Sequence, residues 1–226
     1  EVVLAGLTAF IGFELVLSQR LQLVLGKSPL EAGAFVLPIS LGSFFAGPVA
    51  GALIGRIGCP RVIAAGLVMC ASGIAGYLCL NDASALVQVA TLALCGVGIG
   101  SSLTASSTLV MTNVLEDRAG MAGSVEGVAY EFGGGFGVTI FGSLMTAIYV
   151  AHVRSAGIEA QAGSSLDEAY RYAQQSSDAA PVLQSAMQAF EASFTTVSSV
   201  VIALLFSLAV AVLALTRRLH KLQASH

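Results

Sequence analysis

The chain has 226 residues, of which 56% are apolar and only 10% charged, with 10 Lys and Arg against 13 Asp and Glu; its mean hydropathy is +0.85. A soluble domain typically carries about 25% charged residues, so this composition excludes a disordered chain, a nucleic-acid-binding surface and an ordinary soluble enzyme. What remains is an all-α membrane protein whose solvent is the lipid bilayer, and at about 20 apolar residues per span the length allows roughly six spans.

The chain opens at Glu1 without an initiator Met or a basic leader, and the apolar run begins at once, which reads as a segment of something longer rather than a signal peptide. The first apolar segment, about 2–25, is interrupted by Glu14, Gln19 and Arg20. Arg20 lies near its end, where its long side chain can snorkel to the interface. The second (32–54) and third (62–80) carry no charge, and the fourth (85–111) is long enough to span with tilt. The fifth, 121–150, holds Glu126 and Glu131. A polar stretch follows at 151–192, expected to be a long extracytoplasmic loop with short amphipathic helices. In it Ser165-Leu166-Asp167-Glu168 has the form of a capping box, and Leu166, Ala169, Tyr170 and Ala173 fall on one helical face. A second short helix is expected after Pro181, with Leu183, Met187, Phe190 and Phe194 as its stripe. The sixth span, 193–216, ends against Arg217, Arg218 and Lys221.

Connections of two kinds alternate along the chain. One set, at 26–29, 81–84 and 151–192, holds only Lys27, Arg154 and Arg171. The other, at 55–61, 113–118 and the tail, holds Arg56, Arg61, Arg118, Arg217, Arg218 and Lys221. The positive-inside rule puts the second set, and with it the C-terminus, in the cytoplasm.

Carboxylates within spans are costly and are functional candidates by default. Glu126 lies about 8 Å and Glu131 about 15 Å into the fifth span at 1.5 Å per residue. Five residues apart, they point about 140° away from each other, so they do not form a side-by-side pair. A carboxylic acid at such depth can take a proton from one side and release it when a cation arrives, the chemistry a proton-coupled carrier of cations needs. Glu14 is a third candidate, facing the cavity or another helix. Tyr130, Phe132 and Phe136 flank Glu131 and offer aromatic faces to an organic cation. Gly133, Gly134, Gly135 and Gly137 follow; each weakens a helix by about 1 kcal/mol relative to Ala, so a bend is expected there, alongside close helix packing. Cys59, Cys70, Cys79 and Cys95 form no CxxC pair and are expected to be buried structural thiols. His152, His220 and His226 have no metal-ligand spacing, and no nucleophile or phosphate motif points to an enzyme or a cofactor.

The stretch from Gln19 to Gly33, with Leu37-Pro38, resembles the start of the second half of the 14-span drug:proton antiporters of the major facilitator superfamily. Gly51, Leu53, Arg56, Gly58 and Arg61 resemble that superfamily's cytoplasmic loop motif, with Gly55 where the motif has Asp. Glu126 to Gly133, then Phe136-Gly137-Val138 and Phe141-Gly142-Ser143, resemble the thirteenth span of the branch exporting quaternary ammonium compounds and methyl viologen. The resemblance implies spans nine to fourteen of such a transporter: one six-helix half, built from inverted three-helix repeats, in the bacterial inner membrane. It implies proton-driven efflux of organic cations, with Glu126 and Glu131 at the family's acidic positions and the N-terminal half as the missing partner. The alternative from another class is a half-length membrane protein with a structural or regulatory role beside a full transporter.

Overall fold

The computed structural model describes residues 2–80, 84–158, 163–175 and 180–223. The expectations at Asn81, Asp82, Ala83 and His226, and at the side chains of His220 and Lys221, lie outside the described residues. Among the described residues seven α-helices form: α1 (Val2–Gln19), α2 (Pro29–Ile57), α3 (Cys59–Cys79), α4 (Ala85–Thr112), α5 (Ala119–Ser155), α6 (Leu166–Gln175) and α7 (Ala180–Gln223). A π-helical turn, Arg20–Val24, extends α1, and a 3-10 turn, Glu116–Arg118, precedes α5. All but α6 are long and apolar enough to cross a membrane. Among the described residues there is no strand. Helices suit this composition because each satisfies its own backbone polar groups where no water is present to do so.

Local signals set the helix ends. Ser28 accepts a hydrogen bond from the Glu31 amide at 3.3 Å, and Glu31 accepts one from the Ser28 amide at 2.8 Å. With Pro29 in the first turn this is a full capping box. Pro38 and Pro48 then lie inside α2, which continues past both. Between α2 and α3 the chain turns at Gly58, whose φ of 83° lies in the left-handed region that favours glycine.

The pairing of helices has a two-fold pattern. α1 packs on α5 as α4 packs on α2; α3 packs on α4 as α7 packs on α1; and α3 meets α7. Exchanging α1, α2 and α3 with α4, α5 and α7 leaves this pattern unchanged. Because each set has three spans, the two sets enter the membrane from opposite sides, as inverted repeats do. Glycines allow the close crossings. An added Cβ at Gly137 would stand 2.6 Å from the Thr8 carbonyl, and one at Gly100 would stand 2.6 Å from the Ser43 backbone.

Two sequence expectations change here. The 151–192 stretch is mostly helical: α5 runs on to Ser155, and the helix expected after Pro181 is the first part of α7, which begins at Ala180. Among the described residues of the stretch, α6 stands as the one separate short helix. Its face is as expected, with Leu166 and Ala169 buried and the Tyr170 hydroxyl donating to the Leu23 carbonyl at 2.8 Å. Half of its expected cap forms: the Ser165 hydroxyl accepts from the Glu168 amide at 3.4 Å, whereas the Glu168 carboxylate accepts from the amide of Ser164, not of Ser165, at 2.9 Å. The expected bend at Gly133–Gly135 also leaves no break, since α5 is one helix through all three. Packing explains this. Gly133 lies against Leu4 and Leu7 of α1 and Gly134 against Ile11, so α1 supports the stretch that propensity alone would weaken.

Candidate functional site

Glu126 lies on α5, seven residues in from Ala119, and turns toward α4. Its carboxylate accepts hydrogen bonds from the Ser107 hydroxyl at 3.1 Å and the Tyr130 hydroxyl at 2.6 Å. Tyr130 follows four residues later, one turn along the same face. Both donors are neutral, and among the described residues no cation forms an ion pair with Glu126. The acid borders a cavity of about 580 Å³ between the ends of α1, α4 and α5, lined by Leu4, Ser106, Asn113, Arg118, Met121 and Val125 among others. The lining is mostly apolar, with a few placed polar groups, as in a site for a small amphipathic molecule.

Glu131 points elsewhere. It is exposed on the bundle side, in an open groove of about 390 Å³ with Phe132, Gly135, Phe136 and Thr139. The Phe132 and Phe136 rings lie 5.9 Å apart at 35°, forming one aromatic strip beside the acid. The three aromatics grouped around Glu131 in the sequence therefore divide: Phe132 and Phe136 stay with it, whereas Tyr130 belongs to Glu126. Glu14 sits partly buried in α1, and among the described residues no hydrogen bond or ion pair reaches it. It borders neither the Glu126 cavity nor the Glu131 groove. The three acids thus occupy three separate surroundings.

Arg20 is the largest departure from the sequence reading. It does not snorkel: it is 4% exposed. Its Nε donates to both Glu191 carboxylate oxygens, at 2.8 and 2.9 Å, and its Nη1 donates to the Tyr77 hydroxyl at 2.8 Å. The guanidinium also lies 5.8 Å from the Tyr77 ring centre and 5.1 Å from that of Phe194. A buried charge needs a counter-charge and full hydrogen bonding, and α3 and α7 supply both. The π-turn begins at Arg20 itself. Glu191 lies just outside the predicted 193–216 span, within the stretch expected to be a loop with short helices. The cue for it was a helical apolar stripe running from Leu183 through Phe194 without interruption. Ser107 was likewise missed, although hydroxyl residues crowd the second half of α4.

The loop-motif residues gather at one end of the bundle. Gly51 and Arg56 are on the last turns of α2, Gly58 is the turn residue, and Arg61 is in the first turn of α3; Arg56 and Arg61 are exposed. No ion pair involves either arginine among the described residues. Of the thiols, Cys70 and Cys95 are buried as expected, but Cys79 is exposed and Cys59 intermediate.

Six apolar helices in two inverted triplets, with acids set into them, define a polytopic helical membrane protein. No family model matches the chain. Individual relatives do. The methyl viologen resistance protein SmvA of Salmonella typhimurium is 39% identical over 177 residues, which is 75% of this chain and 36% of that protein. The multidrug resistance protein Stp of Mycobacterium tuberculosis is 34% identical over 139 residues, 62% of this chain and 26% of that protein. The multidrug efflux pump LfrA of Mycolicibacterium smegmatis is 33% identical over 144 residues, 63% and 29%. The chain is a homologue of a segment of these resistance and efflux proteins, over 62–75% of its own length. It spans about a third of the length of the curated relatives it matches.

Proposed function

We propose that this chain forms one six-helix half of a proton-coupled exporter of organic cations, with methyl viologen and quaternary ammonium compounds as the substrate class. The observation that carries the reading is the Glu126 carboxylate, held by two neutral hydroxyls at the wall of a 580 Å³ cavity. An acid without a resident cation can hold a proton or a cationic drug in turn. Glu131, with the Phe132 and Phe136 strip, is the second cation contact, on a groove that a further helical half closes. Glu14 serves as a third acid in α1. The Arg-rich end faces the cytoplasm of a bacterial inner membrane, so the Glu126 cavity, which includes Arg118, opens on that side. The loop motif at Gly51, Arg56, Gly58 and Arg61 then lies on the cytoplasmic face, where it shapes the α2–α3 turn.

The test is transport in everted membrane vesicles containing the complete transporter that bears this chain. Proton-driven uptake of a quaternary ammonium dye is expected to fall at least tenfold in Glu126→Gln and in Glu131→Gln, with unchanged protein level. Full uptake in both variants contradicts the reading.

A further inference from the structure

Cys70 and Cys95 sit near the middle of α3 and α4, and both are fully buried. Their Sγ atoms are 3.3 Å apart. The crossing that brings them together is written twice in the sequence, as Cys70-Ala71-Ser72-Gly73 in α3 and Cys95-Gly96-Val97-Gly98 in α4. The helices are antiparallel, and each glycine makes room for the opposite cysteine. A Cβ added at Gly73 would stand 2.5 Å from the Cys95 amide nitrogen, and one added at Gly98 would clash with the Cys70 amide nitrogen. One turn away from Cys70, a Cβ added at Gly66 would stand 2.5 Å from the Gly98 carbonyl oxygen. The backbones are thus held at a separation that only glycine permits, and the two sulfurs are held in contact with them.

We propose that Cys70 and Cys95 are an oxidisable thiol pair, closed to an inter-helix disulfide by a small neutral peroxide. A disulfide bond is about 2.05 Å long, so side-chain rotation has only a short gap to close. A metal ion fits less well. A two-coordinate soft ion needs the sulfurs farther apart, in a crossing that has no room to open, and among the described residues no third ligand joins them. In the reaction one sulfur attacks a peroxide oxygen; the O–O bond breaks, giving a sulfenic acid and one water. The second sulfur then displaces the sulfenic oxygen, which leaves as a second water. Two thiols and one hydrogen peroxide give one disulfide and two waters: the sulfurs are oxidised and the peroxide oxygens reduced. The bond fastens α3, from the first helix triplet, to α4, from the second.

To test this, membranes containing the complete protein are treated with hydrogen peroxide, and in parallel with iodine, a second small oxidant. They are then denatured with a maleimide, digested and analysed by mass spectrometry. The expected product is a peptide pair joined through Cys70 and Cys95 that dithiothreitol separates. Cys79→Ser leaves its yield unchanged, and Cys70→Ser abolishes it. Complete maleimide labelling of both Cys70 and Cys95 after both oxidants overturns the proposal, as does a linkage formed through Cys79 instead.

Discussion

Two charged clusters lie within the spans, and they are built on opposite principles. At the Lys27 end, Arg20 is sealed between α1, α3 and α7, with the Glu191 carboxylate, the Tyr77 phenol and the Phe194 ring around it. At the Arg118 end, Glu126 has two hydroxyl donors, no cationic partner among the described residues, and a cavity beside it. The first cluster is neutralised, and its charge is committed to holding three helices together. In the proposed function the second takes up a mobile cation or proton. A charge in a membrane helix is therefore not informative by its presence alone. Its partners decide whether it fastens the bundle or serves transport.

The sharpest way to break this contrast is to remove one carboxylate from each cluster. Glu191→Ala removes the carboxylate that both bonds and balances the buried guanidinium and is expected to cost about 3–5 kcal/mol, seen as a large shift in an SDS unfolding titration of the purified protein. Glu126→Gln keeps a hydrogen-bonding side chain beside a cavity and is expected to cost under about 1 kcal/mol in the same titration. The phenols give a smaller version of the comparison. Tyr77→Phe removes a buried hydrogen bond to a charged group, worth about 1.5–3 kcal/mol, whereas Tyr130→Phe removes one to the Glu126 carboxylate at a partly open cavity wall, where solvent screening brings the expected cost to about 0.5–1.5 kcal/mol. Equal losses for the two phenols in unfolding titrations would erase the distinction. The glycines of α5 sharpen it further. Gly137→Ala meets the Thr8 carbonyl at 2.6 Å and is expected to cost about 1–3 kcal/mol. Gly135→Ala has open space around its Cβ and is expected to be neutral or to stabilise by up to about 1 kcal/mol through helix propensity; thermal unfolding in detergent reads both.

The six spans were legible because hydropathy along one chain is a local property. The acids at Glu14, Glu126 and Glu131 were legible for the same reason, and so was the divergence of Glu126 from Glu131, which follows from helical geometry. The environments of the charges were not. Arg20 and Glu191 are 171 residues apart, and Cys70 and Cys95 are 25 apart, so only the packing of helices brings them together. Helix ends were misjudged where polar amphipathic turns extend an apolar core, as at 180–192. There, burial against α6 and the bundle replaces lipid as the surroundings of the apolar stripe. The Ser28 capping box was readable from Ser-Pro-Leu-Glu, but the Gly-Lys-Ser-Pro sequence suggests a turn just as strongly.

In the proposed function, Glu126 and Glu131 exchange protons for a cationic drug. This exchange is tested most directly by adding methyl viologen to the purified complete transporter in weakly buffered detergent solution and recording proton release. The expected result is a release that is largely lost in the Glu126→Gln, Glu131→Gln double variant. Undiminished release from that variant, with drug binding retained, would contradict it.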